Sequence, residues 1–350
     1  MTAYVRPRWD RRRPARQASE GRWEHTYAAI DLGTNNCRLL VARPTRSGFR
    51  VIDAFSRIVR LGEGVSVSGC LSAAAMDRTI EALKICAEKM RRRAVDRSRC
   101  VATDACRRAQ NGAEFLERVS IETGLKLETI TAEEEAGLAL KGCLPLIQPD
   151  ARHALVFDIG GGSTEVMLTD TRGGASDMTG WVSLPFGVVN LSERYGSDTL
   201  SASVYDAMVV EVEEHLAPFC QRHEVLAMVG RGEAQLLGTS GTVTTLTGVH
   251  LGLQRYDRAV VDGAFLDFAD IRVMSDRLRR QDCAARAAHP CIGPERADLV
   301  VAGCAILEAI CRRWPIGRLR VADRGLREGM LLDLIRDANN ESRKEKSPGR

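Results

Sequence analysis

Two stretches decide the fold of this chain: residues 28–36, Ala-Ala-Ile-Asp-Leu-Gly-Thr-Asn-Asn, and residues 155–165, Leu-Val-Phe-Asp-Ile-Gly-Gly-Gly-Ser-Thr-Glu. In each, an apolar run ends at an acid, small polar residues follow, and a second apolar run begins. This layout predicts a β-hairpin whose tight turn offers backbone N–H groups to an anion. Asp31 and Asp158 lie 127 residues apart. We therefore predict two similar halves that face each other across a phosphate.

Length and composition indicate a water-soluble protein of two domains. The chain has 350 residues, of which 44% are hydrophobic and 27% charged, enough for two separate cores. It contains no apolar run near the roughly 18–20 residues that cross a bilayer and no apolar region typical of a secretory signal. The eleven cysteines form no C-x-x-C pair and no zinc-like cluster, which predicts free thiols in the cytoplasm.

The positive charge is concentrated at the N-terminus. Residues 1–22 hold seven arginines against Asp10 and Glu20, while the whole chain carries a net charge of only +4. We interpret residues 1–24 as a disordered Arg-rich tail; contact with nucleic acid, polyphosphate or anionic lipid is the alternative. Nucleic acid is the weaker expectation, because the tail lacks spaced aromatic residues and the remainder of the chain is close to neutral. Residues 339–350 are predicted to be a second polar tail.

Hydrophobic periodicity predicts an α/β fold in which a hairpin, a third strand and alternating helices and strands occur twice. The first domain is expected at 25–131, joined by the C-terminal helix at about 320–338, and the second at 132–319. Strands are predicted at 26–44 (a hairpin), 49–59, 99–102, 127–130, 153–169 (the second hairpin) and 319–322. Helices are predicted at 72–94, 111–123, 131–144, 198–222, 241–252, 265–280, 295–313 and 325–338.

The second hairpin predicts a cation site next to its phosphate site. Asp158 and Glu165 flank the glycines, so the hairpin would bring both carboxylates to one Mg²⁺ or its water shell. The alternative is an Asx-type turn that binds nothing. Three consecutive glycines argue against that alternative, since they lose backbone entropy without any structural gain.

Three further segments are candidates, each with a plain structural alternative. Glu134 and Glu135 are candidates for activating a water next to bound phosphate, although Thr131 and Glu134 also form a capping box at a helix start. Arg107 is a candidate phosphate clamp, or a solvated arginine. Residues 237–245, Leu-Gly-Thr-Ser-Gly-Thr-Val-Thr-Thr, form a small-residue loop before a helix, either a phosphate cradle or a tightly packed loop.

Other phosphate and hydrolase chemistry is not supported by the sequence. It contains no G-x-x-x-x-G-K-[ST] loop, no G-x-G-x-x-G after the first strand, no G-x-S-x-G and no H-E-x-x-H, and the six histidines form no ligand pattern.

Taken together, these segments resemble the exopolyphosphatase/guanosine pentaphosphate phosphohydrolase (Ppx/GppA) family of the actin-like ATPase superfamily. The first turn is similar to the family's D-[IL]-G-[ST]-N-[ST] motif, and residues 158–165 match D-I-G-G-G-S-T-E throughout. Further similarities follow in chain order from about residue 28 to 330. They lie at 61–64 (Leu-Gly-Glu-Gly), 103–111 (T-x-A-x-R-x-A-x-N), 131–136, 238–244 and 323–329 (D-x-G-L-R-E-G).

The resemblance implies two actin-like (ribonuclease H-like) domains with mixed sheets flanked by helices, and an active site in the interdomain cleft. It also implies removal of a terminal phosphate by an activated water, with Mg²⁺ or another divalent cation as cofactor, and a homodimer. By position, Glu135 matches the catalytic carboxylate, with Glu134 the second candidate, and Asp158 and Glu165 match metal-binding or water-positioning acids. The candidate phosphate-binding residues, from the resemblance and the turns together, are Asp31, Gly33, Thr34, Asn35, Asn36, Arg38, Arg107, Gly160, Gly161, Gly162, Ser163, Thr164, Gly238, Ser240 and Gly241.

The chain also departs from the family pattern. Asn36 stands where Ser is usual, Gly137 where Arg often follows E-E-A, and Asn190 where Arg often follows the S-L-P-x-G segment. The absence of these two arginines, at Gly137 and Asn190, is expected to weaken the binding of a long polyanion. The expected activity is exopolyphosphatase, and pppGpp 5′-phosphohydrolase is the nearest alternative since both substrates end in the same anhydride. A polyphosphate- or nucleotide-binding sensor with little turnover is a further alternative.

Overall fold

The computed structural model describes residues 25–46, 48–172 and 177–345, with side chains described as far as Glu341. The predicted tail at 1–24 and the last residues, 346–350, lie outside the described residues. The chain divides into two compact units: Ala132–Leu326 forms unit 2, and the described residues on either side of it form unit 1. Among the helices that the structure describes, none is long and apolar enough to cross a membrane.

Unit 1 is built on a five-stranded mixed sheet with the strand order β3-β2-β1-β4-β5. β1 pairs antiparallel with β2 and parallel with β4, and β2 pairs antiparallel with β3. The strands are β1 (Tyr27–Leu32), β2 (Asn36–Thr45), β3 (Gly48–Ile58), β4 (Arg97–Ala102) and β5 (Glu128–Thr129). The predicted first hairpin and the third strand are confirmed.

Along the chain, four helices of unit 1 connect its strands. They are α1 (Val65–Ser68), α2 (Ala73–Arg92), α3 (Asp104–Arg108) and α4 (Gly112–Thr123). α2 begins where the sequence predicts, because the Ser72 hydroxyl accepts a hydrogen bond from the Ala75 N–H at 3.2 Å and so caps the helix. Ile80, Leu83 and Met90, one face of α2 at helical spacing, are buried in a core with Ile30 and Leu39 of the sheet.

Unit 2 repeats this arrangement with one additional strand, in the order β10-β11-β9-β6-β7-β8. β6 pairs antiparallel with β7 and parallel with β9, as β1 does with β2 and β4. The strands are β6 (His153–Ile159), β7 (Thr164–Asp170), β8 (Met178–Leu184), β9 (Ala234–Thr239), β10 (Phe265–Asp267) and β11 (Arg318–Ala322). The predicted similarity of the two halves is therefore present in the topology of both sheets.

Nine further helices belong to the described part of unit 2. They are α5 (Ala132–Cys143), α6 (Val188–Tyr195), α7 (Ala202–Arg222), α8 (Val225–Gly230), α9 (Gly241–His250), α10 (Arg258–Val261), α11 (Phe268–Arg280), α12 (Cys283–Ala287) and α13 (Val300–Arg313). A 3-10 turn at Leu144–Leu146 follows α5. The last helix, α14 (Leu326–Glu345), starts at the end of unit 2 and continues into unit 1.

Strand alternation gives the sheet of unit 2 two differently covered faces. Leu155 and Phe157 lie in the larger core together with residues of α7 and α13. Ala154 and Val156 point to the other face, where they join Ala136 and Ala139 of α5 in a smaller core. Helices thus cover both faces, and the α/β class with two mixed sheets flanked by helices is confirmed.

Several element predictions are wrong. Residues 198–201 are not helical, because Ser201 caps α7 and the chain before it makes a left-handed turn at Gly196 (φ 92°). Residues 265–267 form β10 by pairing with β11 instead of starting the helix, and the helix expected from 295 begins only at Val300. The strand expected at 127–130 is reduced to two residues.

The predicted polar tail is wrong for residues 339–345, because α14 continues to Glu345. Polar composition alone suggested an unstructured end, but the Glu341 carboxylate pairs with the Arg97 guanidinium of β4 at 2.5 Å. β8, α6 and α8 are not among the elements predicted from the sequence. The loop predicted from Leu237 is likewise wrong, because β9 extends through Thr239.

Candidate functional site

The first predicted turn joins β1 to β2 through three residues, Gly33, Thr34 and Asn35. Leu32 pairs with Cys37, and the Gly33 N–H donates to the Asn36 carbonyl at 2.9 Å. Among the described residues, the Oδ1 atoms of Asn35 and Asn36 are buried without a hydrogen-bond partner. A buried acceptor without a donor costs free energy, so hydrogen bonding within the described residues does not account for the burial of these two amides.

The segment after β3 supports this turn from behind. The Gly62 N–H donates to the Thr34 carbonyl at 2.9 Å, and the Val59 N–H donates to the Asn35 carbonyl at 2.8 Å. A Cβ on Gly62 would lie 2.3 Å from the Thr34 Cγ2 atom, so only glycine allows this approach. The Thr34 side chain therefore packs against the supporting segment, and its backbone N–H remains the group available to an anion.

Asp31 is a carboxylic acid in an unfavourable environment. It lies opposite Arg38 in the β1–β2 register. Burial raises the pKa of Asp31, and the Glu328 carboxylate raises it further, while the charges of Arg38 and Arg327 oppose the rise. Titrating groups with raised pKa values concentrate at functional sites because folding alone does not favour them. Glu328, buried in the first turn of α14, is a member of this charge cluster that the sequence analysis missed.

The second predicted turn has the same geometry as the first. Ile159 pairs with Thr164, and the Gly160 N–H donates to the Ser163 carbonyl at 2.9 Å. The hydroxyls of Ser163 and Thr164 do not point to open space: Ser163 Oγ donates to Glu165 Oε1 at 2.7 Å, and Thr164 Oγ1 donates to the Phe186 carbonyl at 2.7 Å. The turn therefore offers a ligand its backbone N–H groups rather than these two hydroxyl protons.

The two predicted metal-binding acids are brought together as expected. Asp158 and Glu165 are directly opposite each other in the β6–β7 register, so their side chains share one face of the sheet with Cβ atoms about 5 Å apart. Glu165 is only 2% exposed, and its Oε1 accepts hydrogen bonds from Ser163 and from Ser183 Oγ at 2.9 Å. These two hydroxyls fix the orientation of the Glu165 carboxylate.

This pair suits a hydrated magnesium ion better than a fully protein-bound metal. Within the described residues, no three His, Cys, Asp or Glu side chains are grouped to hold a metal ion. Mg²⁺ commonly keeps several waters and takes one or two protein carboxylates together with substrate phosphates. A donor set of two carboxylates beside a glycine-rich turn therefore fits this ion.

The candidate catalytic acids start α5, which packs on the face of the sheet that carries Asp158 and Glu165. Glu133, Glu134 and Glu135 form the first turn of α5, and Ala136 and Ala139 bury its apolar face against β6 and β7. Glu134 is exposed, whereas Glu135 is partly buried beside that apolar face. Of the two candidates, Glu135 is therefore the less exposed.

Arg107 is held less freely than a phosphate clamp requires. It lies on α3, and its Nη1 donates to the Ile130 carbonyl at 2.9 Å while Nη2 lies 3.7 Å from Asp104 Oδ1. One edge of its guanidinium is therefore committed to the protein. A bidentate clamp by Arg107 stays a prediction.

The third candidate cradle lies where β9 leads into α9. Ser240 caps α9 by accepting the Val243 N–H at 3.3 Å, and it does so with φ at 137°, a strained value for a residue with a Cβ. Gly238 has a packing reason instead, since a Cβ there would lie 2.5 Å from the Phe157 ring. The start of α9, with Gly241, therefore stays a candidate phosphate-binding segment. Gly238 is explained by close packing.

The structure adds Asn190, a residue that the sequence analysis noted only as a missing positive charge. It lies in the first turn of α6, and its Nδ2 donates to the Gly162 carbonyl at 2.8 Å while its Oδ1 accepts the Gly187 N–H at 2.7 Å. Asn190 is the third residue of α6, and its bond to the Gly187 N–H is one half of a capping box; Gly187 has no side chain to form the other half.

Comparison with known proteins gives a consistent result. The model of the Ppx/GppA phosphatase family matches residues 40–338. Exopolyphosphatase 2 of Mycobacterium tuberculosis is 32% identical over 322 residues, covering 88% of this chain and 98% of that protein. Guanosine-5′-triphosphate,3′-diphosphate pyrophosphatase of Vibrio campbellii is 30% identical, covering 88% of this chain but 59% of that protein. The crystal structure of an exopolyphosphatase-like protein superposes with a TM-score of 0.83 at 31% identity, covering 90% and 99% of the two chains.

Proposed function

Because the chain belongs to the Ppx/GppA phosphatase family, we propose that it is an exopolyphosphatase that removes the terminal phosphate of inorganic polyphosphate. The family membership supports a phosphoanhydride hydrolase. The choice of polyphosphate follows the relative with the higher identity, since exopolyphosphatase 2 is 32% identical to this chain and the pppGpp pyrophosphatase 30%.

In the proposed reaction, the oxygen of a water attacks the terminal phosphorus and the bridging P–O bond breaks. The shortened polyphosphate leaves with the electrons of that bond, and the water proton passes to the Glu135 carboxylate. The backbone N–H groups of the second turn would bind phosphate oxygens and stabilise the charge that develops on them. Asp158 and Glu165 would hold a hydrated Mg²⁺, which when bound neutralises phosphate charge.

The observation that carries the proposal is the shared face of the sheet in unit 2. Asp158 and Glu165 project from that face beside a turn with three glycines, and α5, which starts with Glu135, packs on the same face. These neighbouring elements carry the acids proposed to bind a cation, the N–H groups proposed to bind phosphate and the carboxylate proposed to activate water.

The first test is the substitution Glu135→Gln, which keeps the shape of the side chain and removes its basicity. We expect kcat on polyphosphate to fall by about 10²–10⁴-fold with KM changed less than about threefold, because the lost group acts on the water proton and not on binding. Glu134→Gln is the matched control and should keep kcat within about twofold of the wild type. Near-normal turnover by Glu135→Gln in a phosphate-release assay would refute the assignment.

The second test concerns the cation. Activity should disappear on dialysis against a chelator and return with Mg²⁺. Asp158→Asn should shift the Mg²⁺ concentration for half-maximal activity upward by about tenfold, since one of two carboxylate ligands is lost. A variant with an unchanged Mg²⁺ activation curve would show that Asp158 does not take part in holding the ion.

A guanosine pentaphosphate 5′-phosphohydrolase is the second candidate, favoured by the 30% identity to the Vibrio campbellii protein over 88% of this chain. Measuring kcat/KM on polyphosphate and pppGpp with the same preparation decides between the two. Tight binding of either compound without phosphate release would instead identify a sensor.

A further inference from the structure

The start of α6 makes an unusual set of contacts with the second turn. The Val188 N–H donates to the Gly160 carbonyl at 3.0 Å and the Val189 N–H donates to the Gly161 carbonyl at 2.8 Å. Asn190 Nδ2 completes the set by donating to the Gly162 carbonyl at 2.8 Å. Three successive carbonyls of the turn are therefore bound by three successive residues of one helix.

These bonds determine where the N–H groups of the turn point. In a trans peptide, the carbonyl of one residue and the N–H of the next point in opposite directions, and no peptide bond among the described residues is cis. Carbonyls held toward α6 therefore place the next three N–H groups, those of Gly161, Gly162 and Ser163, on the side away from α6. None of these three N–H groups donates to an acceptor within the described residues.

The close approach that permits this arrangement depends on a glycine. A Cβ on Gly187 would lie 2.3 Å from the Gly161 carbonyl carbon and 2.4 Å from the Gly162 nitrogen. The main chain before α6 thus lies directly against the turn, and the Gly187 N–H is itself bound by Asn190 Oδ1 at 2.7 Å. The Asn190 side chain thus binds both sides of this contact.

We infer that α6 orients the second turn as a three-donor anion site, and that Asn190 is the positioning residue that sets the third donor, the Ser163 N–H. This inference rests on the proposed function for its substrate, a terminal phosphate, but the orientation itself follows from the contacts. Asn190 acts through the peptide between Gly162 and Ser163. Without its Nδ2 group, that peptide has no bond that keeps its carbonyl toward α6.

Phosphate binding tests the inference independently of turnover. The Kd of inorganic phosphate, measured by titration calorimetry, should rise about tenfold in Asn190→Ala, because one charge-assisted hydrogen bond is lost or misdirected. Ser192→Ala is the matched control: Ser192 lies in the same helix, and its hydroxyl donates to the Val188 carbonyl at 2.7 Å without touching the turn. It should bind phosphate like the wild type. An unchanged Kd in Asn190→Ala overturns the inference.

Amide NMR distinguishes positioning from a general loss of structure. With ¹⁵N-labelled glycine and serine, phosphate should shift the amide signals of Gly161, Gly162 and Ser163 in the wild type. In Asn190→Ala the Ser163 shift should be lost while those of Gly161 and Gly162 persist. If all three shifts persist, Asn190 does not set the third donor; if all three vanish together, it has only a structural role, and the inference is wrong.

Asn190→Asp covers the case in which the alanine variant does not fold. Aspartate keeps an acceptor for the Gly187 N–H but has no N–H to give to the Gly162 carbonyl, so it too should lose the Ser163 shift. A wild type that binds phosphate through these three amides but hydrolyses neither substrate would refute the proposed function and leave this inference standing.

Discussion

At the scale of single residues, Asp31 is an acid whose ionisation costs the fold stability. Its folded-state pKa is raised by burial, so the folded chain holds this proton at a higher pH than the unfolded chain does. The free energy of unfolding therefore decreases as the pH rises from the ordinary Asp value through the raised folded-state value. Above that interval the ionised carboxylate is a net cost to the fold.

Asp31→Asn should consequently stabilise the folded protein and lower its rate of phosphate release. In a buffer without divalent cations or phosphate, we expect Tm at pH 8 to rise by about 2–4 °C, and this gain should shrink as the pH is lowered toward 4. The rate of phosphate release should fall, since the ionised group is lost from the first turn. Thermal melts at several pH values measure the effect, and a lower Tm at pH 8 would contradict it.

The candidate residues differ in how far the sequence could define them. Asp158 and Glu165 flank a short turn, so hairpin geometry alone places them side by side, and the register confirms that placement. Glu328 and Asn190 could not be found this way. Glu328 acts on Asp31 across almost 300 positions of the chain, and the bonds of Asn190 to the second turn depend on tertiary contact.

At the scale of elements, local pattern predicted what was long and regular. Both hairpins and α2 were found because their apolar spacing extends over many residues. β8 was missed because Gly180 interrupts it, and a Cβ there would lie 2.5 Å from the His223 ring; a strand glycine with such a reason has no signature in sequence alone. α6 has only eight residues, too few for periodicity to identify.

The contact between α6 and the second turn gives a prediction about an element. Gly187→Ala should push the start of α6 away from the turn, because its Cβ would overlap the Gly161 carbonyl group. We expect KM for polyphosphate to rise at least about tenfold and Tm to fall by about 2–6 °C, the usual effect of 1–2 kcal/mol. Gly230→Ala, where a Cβ meets nothing within 4 Å, is the control and should change neither quantity. A normal KM in Gly187→Ala would argue against the contact.

At the scale of the whole molecule, the repeated motifs reflect a repeated topology. The orders β3-β2-β1-β4-β5 and β8-β7-β6-β9-β11 are equivalent, with β10 added at the edge of the second sheet. In each unit an acid near the end of the first strand precedes the turn, Asp31 in unit 1 and Asp158 in unit 2. The two similar motifs in the sequence indicated this repeat. Elements that unit 2 has in addition, such as β10 and α8, come from strand pairing and helix packing that have no counterpart in unit 1.

Unit 2 is continuous in the chain, whereas unit 1 needs residues from both sides of it. A ribosome therefore completes Ala132–Leu326 before it makes α14, whose Glu341 pairs with Arg97. We expect unit 2 to fold before unit 1, although unit 1 begins first in the chain. In nascent chains arrested with unit 2 outside the exit tunnel, unit 2 should already resist protease, while residues 25–131 should become resistant only once α14 has emerged. Equal resistance of both units in the shorter chains would contradict this order.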